Sequence, residues 1–151
     1  MIYYMNGDLL DVTSGIIVHG CNAQGVMGSG VAKAIKQKYP GTFRTYQDAH
    51  QSTPGGLKIG EVVWYVQDDI KIANAITQEF YGTEKRHMNY AAIVKCFTEV
   101  IGYANTMKLD IYFPKIGAGL GGGDWSIIEQ LINDCDPYDK VKKVCVVKDG
   151  L

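Results

Sequence analysis

Twice along this chain a short apolar run empties into a glycine-rich stretch that opens onto apolar residues at helical spacing. The first unit is Ile17-Val18-His19-Gly20-Cys21-Asn22-Ala23-Gln24-Gly25-Val26-Met27-Gly28-Ser29-Gly30-Val31-Ala32-Lys33-Ala34-Ile35. The second passes from residues 110–113 and Pro114 through Lys115-Ile116-Gly117-Ala118-Gly119-Leu120-Gly121-Gly122-Gly123-Asp124-Trp125 to Ile128, Leu131, Ile132 and Cys135. Continuously apolar strands are the kind buried on both faces of an α/β sheet. Glycine lets the backbone approach a ligand with no Cβ in the way, and a helix N-terminus presents unpaired N–H groups that suit an anion. Ligands of open α/β sheets lie at the carboxyl ends of the strands. Both loops therefore belong on one edge, facing one crevice. Two such cradles suit an extended ligand with more than one phosphate, and a diphosphate-bridged nucleotide fits best.

The rest of the chain supplies a sheet to carry them. Residues 2–5 read as a strand ended by Asn6-Gly7-Asp8, a turn signal. Asp8 either caps the turn before Leu9-Leu10 or accepts from an amino group of a ligand. Val31, Ala34, Ile35 and Lys38 mark a short helix stopped by Pro40-Gly41, and Pro40 can itself start the next, with Phe43, Tyr46 and Ala49 on one side. Apolar runs at 62–66 and 70–76, separated by Gln67-Asp68-Asp69, predict a hairpin and so a mixed sheet. Residues 78–89, with Glu84, Lys85, Arg86 and His87, read as a polar surface loop. Ala92, Ile93, Cys96, Phe97, Val100, Ile101 and Ala104 make the apolar face of a helix over 90–107, and residues 143–148 form the last strand. Residues 1–151 are expected to be a single domain, with no repeats or linkers.

Fifteen basic residues against sixteen acidic ones leave a formal net charge of -1, which gives no bulk attraction to nucleic acid or an anionic membrane. No apolar run approaches the ~20 residues of a membrane span. The first residues lack the layout of a secretory leader, so a cytoplasmic protein is expected. Cys21, Cys96, Cys135 and Cys145 are widely spaced and suggest no metal site; they are expected to be small buried hydrophobes. Cys21 is expected to pack beneath the loop, its rival role being a thiolate nucleophile stabilised by His19. Gly117-Ala118-Gly119-Leu120-Gly121-Gly122 matches G-x-G-x-x-G, yet the strand that follows ends in Lys148 and leaves no room for a nicotinamide-binding sheet. The phosphate loop G-x-x-x-x-G-K-[ST] is absent.

Asn6-Gly7-Asp8-Leu9, the loop Val18-His19-Gly20-Cys21-Asn22-Ala23-Gln24 with Gly28-Ser29-Gly30-Val31-Ala32, and Pro114-Lys115-Ile116-Gly117-Ala118-Gly119-Leu120 followed by Asp124-Trp125 together resemble a macro domain. The resemblance spans nearly the whole chain in order. It implies a three-layer α/β/α fold around a central mixed β-sheet, with ADP-ribose as ligand and no cofactor. The His-Gly-Cys-Asn type of loop is similar to the branch that dephosphorylates ADP-ribose 1''-phosphate. By that resemblance Asp8 accepts the adenine amino group and Leu9 adds a backbone contact. Gly28, Ser29, Gly30 and Val31 hold the phosphate nearer the distal ribose, while Lys115, Gly117, Ala118, Gly119 and Leu120 line the other side of the diphosphate. Asn22 binds the distal ribose and His19 lies beside the scissile phosphate.

The departures direct the chemistry. By the same resemblance, a related deglycosylating branch uses a lysine and an aspartate at positions held here by Gln78 and Gly121; glutamine cannot form a Schiff base and glycine cannot act as a base, so that chemistry requires Lys115 or Asp124 to substitute. The reaction that the His-Gly-Cys-Asn resemblance implies is removal of the terminal phosphate. His19 would position the attacking water or protonate the ribose oxygen, with Asn22 orienting the ribose. Asp124 is either the partner carboxylate or the N-cap of its helix, where Ser126 and Glu129 offer a competing capping box. A mono-ADP-ribosyl or O-acetyl-ADP-ribose hydrolase, and a non-catalytic ADP-ribose reader that docks ADP-ribosylated protein, are the alternatives.

Overall fold

The computed structural model describes residues 1–28, 30–80, 88–119 and 121–148. Six strands, β1 (Ile2–Asn6), β2 (Gly15–Asn22), β3 (Val62–Gln67), β4 (Ile70–Gln78), β5 (Ile111–Phe113) and β6 (Lys143–Val147), form one sheet in the order β1-β6-β5-β2-β4-β3. Every neighbouring pair is parallel except β3 with β4. The sheet is thus mixed, as the hairpin required. Its turn is shorter than the spacing implied: Gln67 pairs with Ile70, and Asp68 makes the reversal at a φ of 54°.

Four helices cover the sheet: α1 (Gly30–Lys38), α2 (Pro40–Ser52), α3 (Tyr90–Met107) and α4 (Trp125–Asp134). Side chains alternate along a strand, so β2 feeds two cores. Ile16 and Val18 pack with Ile93, Phe97, Val100, Ile128 and Ile132 of α3 and α4. Ile17 packs with Ile35 and Ile72, and Cys21 with Tyr46 and Ile76, under α1 and α2. The result is three layers, α/β/α. All seven apolar residues assigned to the face of α3 are buried. The Asn89 side chain caps that helix by accepting from Ala92 N at 3.0 Å, and Lys108 closes it in the left-handed region at a φ of 58°. Among the described residues, no helix is long and apolar enough to cross a membrane.

Two expectations need amendment. The polar run at 78–89 is anchored at both ends, because Gln78 belongs to β4 and the buried Met88 bridges back to it. Residues 81–87, with the Glu84, Lys85, Arg86 and His87 cluster, lie outside the described residues, as do Ser29 and Leu120. In α4 only Ile128 and Ile132 are buried, and Trp125, Leu131 and Cys135 are half-buried against the core edge.

A buried ion pair ties the start of β6 to the turn that precedes it. Lys143 has no exposed surface; its Nζ donates to Asp136 Oδ2 at 2.5 Å, Asp139 Oδ1 at 3.0 Å and Val141 O at 2.8 Å. Burial alone would raise the Asp136 carboxyl. The Lys143 ammonium and the amides of Lys140 and Val141 outweigh it and hold the group below the usual carboxylate range. Removing Asp136 leaves the buried Lys143 ammonium with only the half-exposed Asp139 and Val141 O, a loss of at most about 3–5 kcal/mol. Asp136→Ala is accordingly expected to lose stability of that order in urea unfolding. Because the native carboxyl is depressed, the parent keeps the contribution above pH ~4 and loses it on further acidification, whereas the variant shows no such loss from this site.

Candidate functional site

The parallel strands all end on one edge of the sheet, and a cleft of about 600 Å³ opens there, a size usual for small-molecule sites. One wall is the loop after β2 and the start of α1, with Asn22, Val26, Met27, Gly28, Gly30 and Val31. The opposite wall is the segment after β5, where Lys115, Ile116, Gly117, Gly119 and Gly121 contribute. Thr77 and Gln78, at the end of β4, form the floor with Gly20.

Asn22 builds the first wall. Its Nδ2 donates to Val26 O at 2.8 Å, and its Oδ1 accepts from Gln24 N at 2.9 Å. The hydroxyl of Tyr46, fully buried in α2, donates to Asn22 O at 2.5 Å and accepts from Gly25 N at 3.1 Å. Burial raises the Tyr46 phenol well above its ordinary value, so it stays a neutral clamp. These bonds hold residues 22–26 in one conformation. Gly30 opens that helix at a φ of 62°, a conformation that suits glycine, and the first-turn N–H groups are the ready partners of an anion.

In the second wall, Gly117 sits at a φ of 81°. A Cβ at Gly121 would lie 2.9 Å from Gly117 O and 3.2 Å from Gln78 Oε1. These contacts make glycine necessary there for packing alone. They also put Gln78 and Gly121 side by side. Lys115 is the cation among the described residues lining the cleft. Ala118 does not line it, and no three His, Cys, Asp or Glu among the described residues are grouped to hold a metal.

His19 is placed differently from the expectation. Residues 19 and 21 share one face of β2, and α2 covers that face. His19 has no exposed surface and is absent from the cleft lining. Its Nε2–H donates to Asn74 Oδ1 at 2.6 Å, since Asn74 Nδ2 is already donating to Thr42 Oγ1 at 2.8 Å and Val63 O at 3.0 Å. Burial lowers the imidazole to about 4 against a weaker opposing effect of that hydrogen bond, so it is neutral near pH 7. A sealed, neutral ring cannot touch a ligand in the cleft. Cys21 lies beside it, with its sulfur 3.6 Å from His19 Nε2. It packs beneath the loop and borders the cleft; burial pushes its thiol well up, so no thiolate forms.

Asp124 also leaves the catalytic set. Its Oδ1 accepts from Ser126 N at 2.9 Å and Ser126 Oγ at 2.7 Å, which caps α4 and lowers its carboxyl, and it does not line the cleft. Asp8 uses Oδ1 to cap the 3-10 turn Leu9–Asp11, accepting from Leu10 N at 2.9 Å, while Leu9 is buried. Both follow β1 on the same sheet edge as the cleft, outside its lining. Thr77 and the apolar Met27 and Ile116 are lining residues that sequence reasoning did not assign. The carboxyl-end rule applied to β4 would have found Thr77.

A family model described as Macro domain matches residues 18–132. An ADP-ribose 1''-phosphate phosphatase of Candida albicans is 29% identical over 147 residues, covering 90% of this chain and 94% of that protein. A DNA ADP-ribosyl glycohydrolase of Mycobacterium tuberculosis is 31% identical over 136 residues, covering 86% of this chain and 37% of that protein. The solved macrodomain of Mycobacterium tuberculosis DarG has a TM-score of 0.80 at 27% identity, covering 97% of this chain and 96% of that one.

The His19 burial has a measurable consequence. Between pH 6.5 and about 4 the unfolded chain binds a proton at this site and the native chain does not, so stability falls as pH drops through that window. At 1.36 kcal/mol per unit the loss is about 3 kcal/mol. Urea midpoints taken across this range should show it in the parent protein and lack it in His19→Gln.

Proposed function

The chain belongs to the macro domain family, and from that footing we propose that its cleft binds ADP-ribose and that the protein removes the terminal phosphate from ADP-ribose 1''-phosphate. The observation that carries this reading is the chemistry of the walls. Main-chain amides at the α1 N-terminus, with the Lys115 ammonium and the glycine backbone of Gly117 and Gly119 on the facing wall, suit phosphate oxygens. No carboxylate or imidazole is among the described lining residues. Glycosidic cleavage ordinarily needs a carboxylate pair. Phosphoryl transfer passes through a loose transition state and asks mainly for positioning and charge stabilisation.

In this reading the ligand lies along the carboxyl edge. The adenine end points toward Asp8, whose Oδ2 is not used by its cap and lies 3.8 Å from Lys148 Nζ. The diphosphate sits between Gly28, Gly30 and Val31 on one side and Gly117 and Gly119 on the other. Water adds to the terminal phosphorus, the bond from phosphorus to the ribose 1'' oxygen breaks, and the water proton ends on that oxygen. Asn22 acts by holding the wall, His19 by bracing β2 against β4 and α2, and Asp124 by starting α4. The near full-length cover of the Candida albicans phosphatase supports the same reaction. The Mycobacterium tuberculosis relative supports removal of ADP-ribose from DNA as the second reading, against which stand Gln78 and Gly121.

Phosphate release from ADP-ribose 1''-phosphate tests the reaction directly, with ADP-ribosylated DNA and ADP-ribosylated protein as parallel substrates. The expected result is release of inorganic phosphate and ADP-ribose, with the two macromolecular substrates untouched. Calorimetry with ADP-ribose should show binding, weakened roughly tenfold in Lys115→Met through loss of one charge-assisted contact. Binding without phosphate release would make the protein a reader. Consumption of the modified DNA alone would make it a glycohydrolase.

A further inference from the structure

Behind the first wall of the cleft, two loops far apart in sequence meet on one imidazole. His50 lies in the last turn of α2, four residues after Tyr46, so the two side chains leave the helix on one side. Tyr46 holds the loop after β2 through its hydroxyl, and His50 meets the same loop with its ring edge. A Cβ at Gly25 would lie 3.1 Å from His50 Cδ2, and one at Gly56 would lie 2.6 Å from His50 Cε1. The ring is thus wedged between the loop that builds the wall and the turn that follows α2. It does not itself line the cleft.

A hydrogen bond fixes the wedge in place. Leu57 N donates to His50 Nδ1 at 3.2 Å. The turn that delivers Leu57 is itself closed, with Gly56 N donating to Thr53 O at 2.8 Å and Thr53 Oγ1 to Ala49 O at 2.6 Å. The Leu57 side chain is buried in the cluster that also holds Cys21, Ala23, Met27 and Tyr46, and Met27 lines the cleft. His50 therefore bears on residues 23–27 in two ways: on Gly25 by contact, and on Met27 through the cluster that Leu57 joins.

We infer that His50 is a positioning residue for the anion-binding wall, acting with Tyr46 to hold residues 22–27 from behind, an inference that rests on the ADP-ribose reading. The wall needs such support because of its composition. Gly25, Gly28 and Gly30 fall within six residues, and glycine loses more conformational freedom on ordering than any other residue. A loop held in its binding shape before the ligand arrives spares the complex that ordering cost. The hydroxyl of Tyr46 fixes the entry of the loop at Asn22 and Gly25. The imidazole of His50, one helical turn further along α2, closes the back of Gly25 and ties in the turn at Leu57. Neither side chain touches the ligand.

The test measures ADP-ribose affinity by calorimetry, melting without ligand, and the backbone amide resonances of the free protein, on the parent, His50→Ala and His50→Asn. Asparagine keeps an acceptor on Cγ where Nδ1 stood and a nitrogen where Cδ2 met Gly25. His50→Ala is expected to weaken ADP-ribose roughly three- to tenfold. It is also expected to move the amide resonances of Gly25 and Val26 while leaving that of Gly119, on the facing wall, in place. His50→Asn is expected to return both affinity and resonances toward the parent. Parent affinity in His50→Ala would overturn the inference, and with a lowered melting temperature it would make His50 purely structural. A His50→Asn protein no better than His50→Ala would overturn it as well, and so would equal resonance shifts on both walls, which mean a general loosening. A parent protein that binds no ADP-ribose would instead defeat the ADP-ribose reading, and the resonances would still report whether His50 holds the wall.

Discussion

The parallel pairing of β2 with β4 on one side and β5 on the other is the constraint on which the site depends. The ladder runs from Gly15 opposite Ile70 to Cys21 opposite Ile76, and it shifts register between Cys21 and Asn22, which comes opposite Gln78. Parallel pairing puts the ends of these three strands at one edge, so three loops far apart in sequence share a cleft. The pairing is reinforced inside the sheet by the buried chain from His19 to Asn74 to Thr42, which joins β2, β4 and α2. Buried polar groups of this kind are tolerable only when each has its partner. Here the carboxamide of Asn74 is satisfied on both sides.

Above that ladder the cleft is shaped by what the side chains omit. Gly20 leaves room for Thr77, and Gly121 lets the second wall lie against Gln78. The walls consequently bring backbone close to the cleft, and the first-turn N–H groups of α1 are the ones that favour an anion. Rigidity comes from beneath. Tyr46 reaches from α2 to clamp Asn22 and Gly25, so the first wall is held by a helix that does not itself line the cleft.

Much of this could be read from the chain. The hairpin, the helix of residues 90–107, the mixed sheet and the two glycine loops are local signals, written in periodicity and in turn residues, and the structure reproduces them. Gly28, Gly30, Val31, Lys115, Gly117 and Gly119 do line the cleft. The polar residues nearest the loops were harder. His19, Asn22 and Asp124 are all next to the loops in sequence, yet each has a polar atom engaged by the protein itself, and of the three Asn22 alone lines the cleft.

The sequence by itself determined the architecture and the two glycine loops that meet at one edge, because strand runs, helix faces and glycine loops are encoded by neighbours a few residues apart. Which side chains face the cleft was decided only by tertiary structure. The imidazole of His19 is hidden because α2 covers its side of β2, and Thr77 and Gln78 border the cleft because β4 runs parallel beside β2. Both depend on contacts between elements distant in the chain, and no local pattern records them.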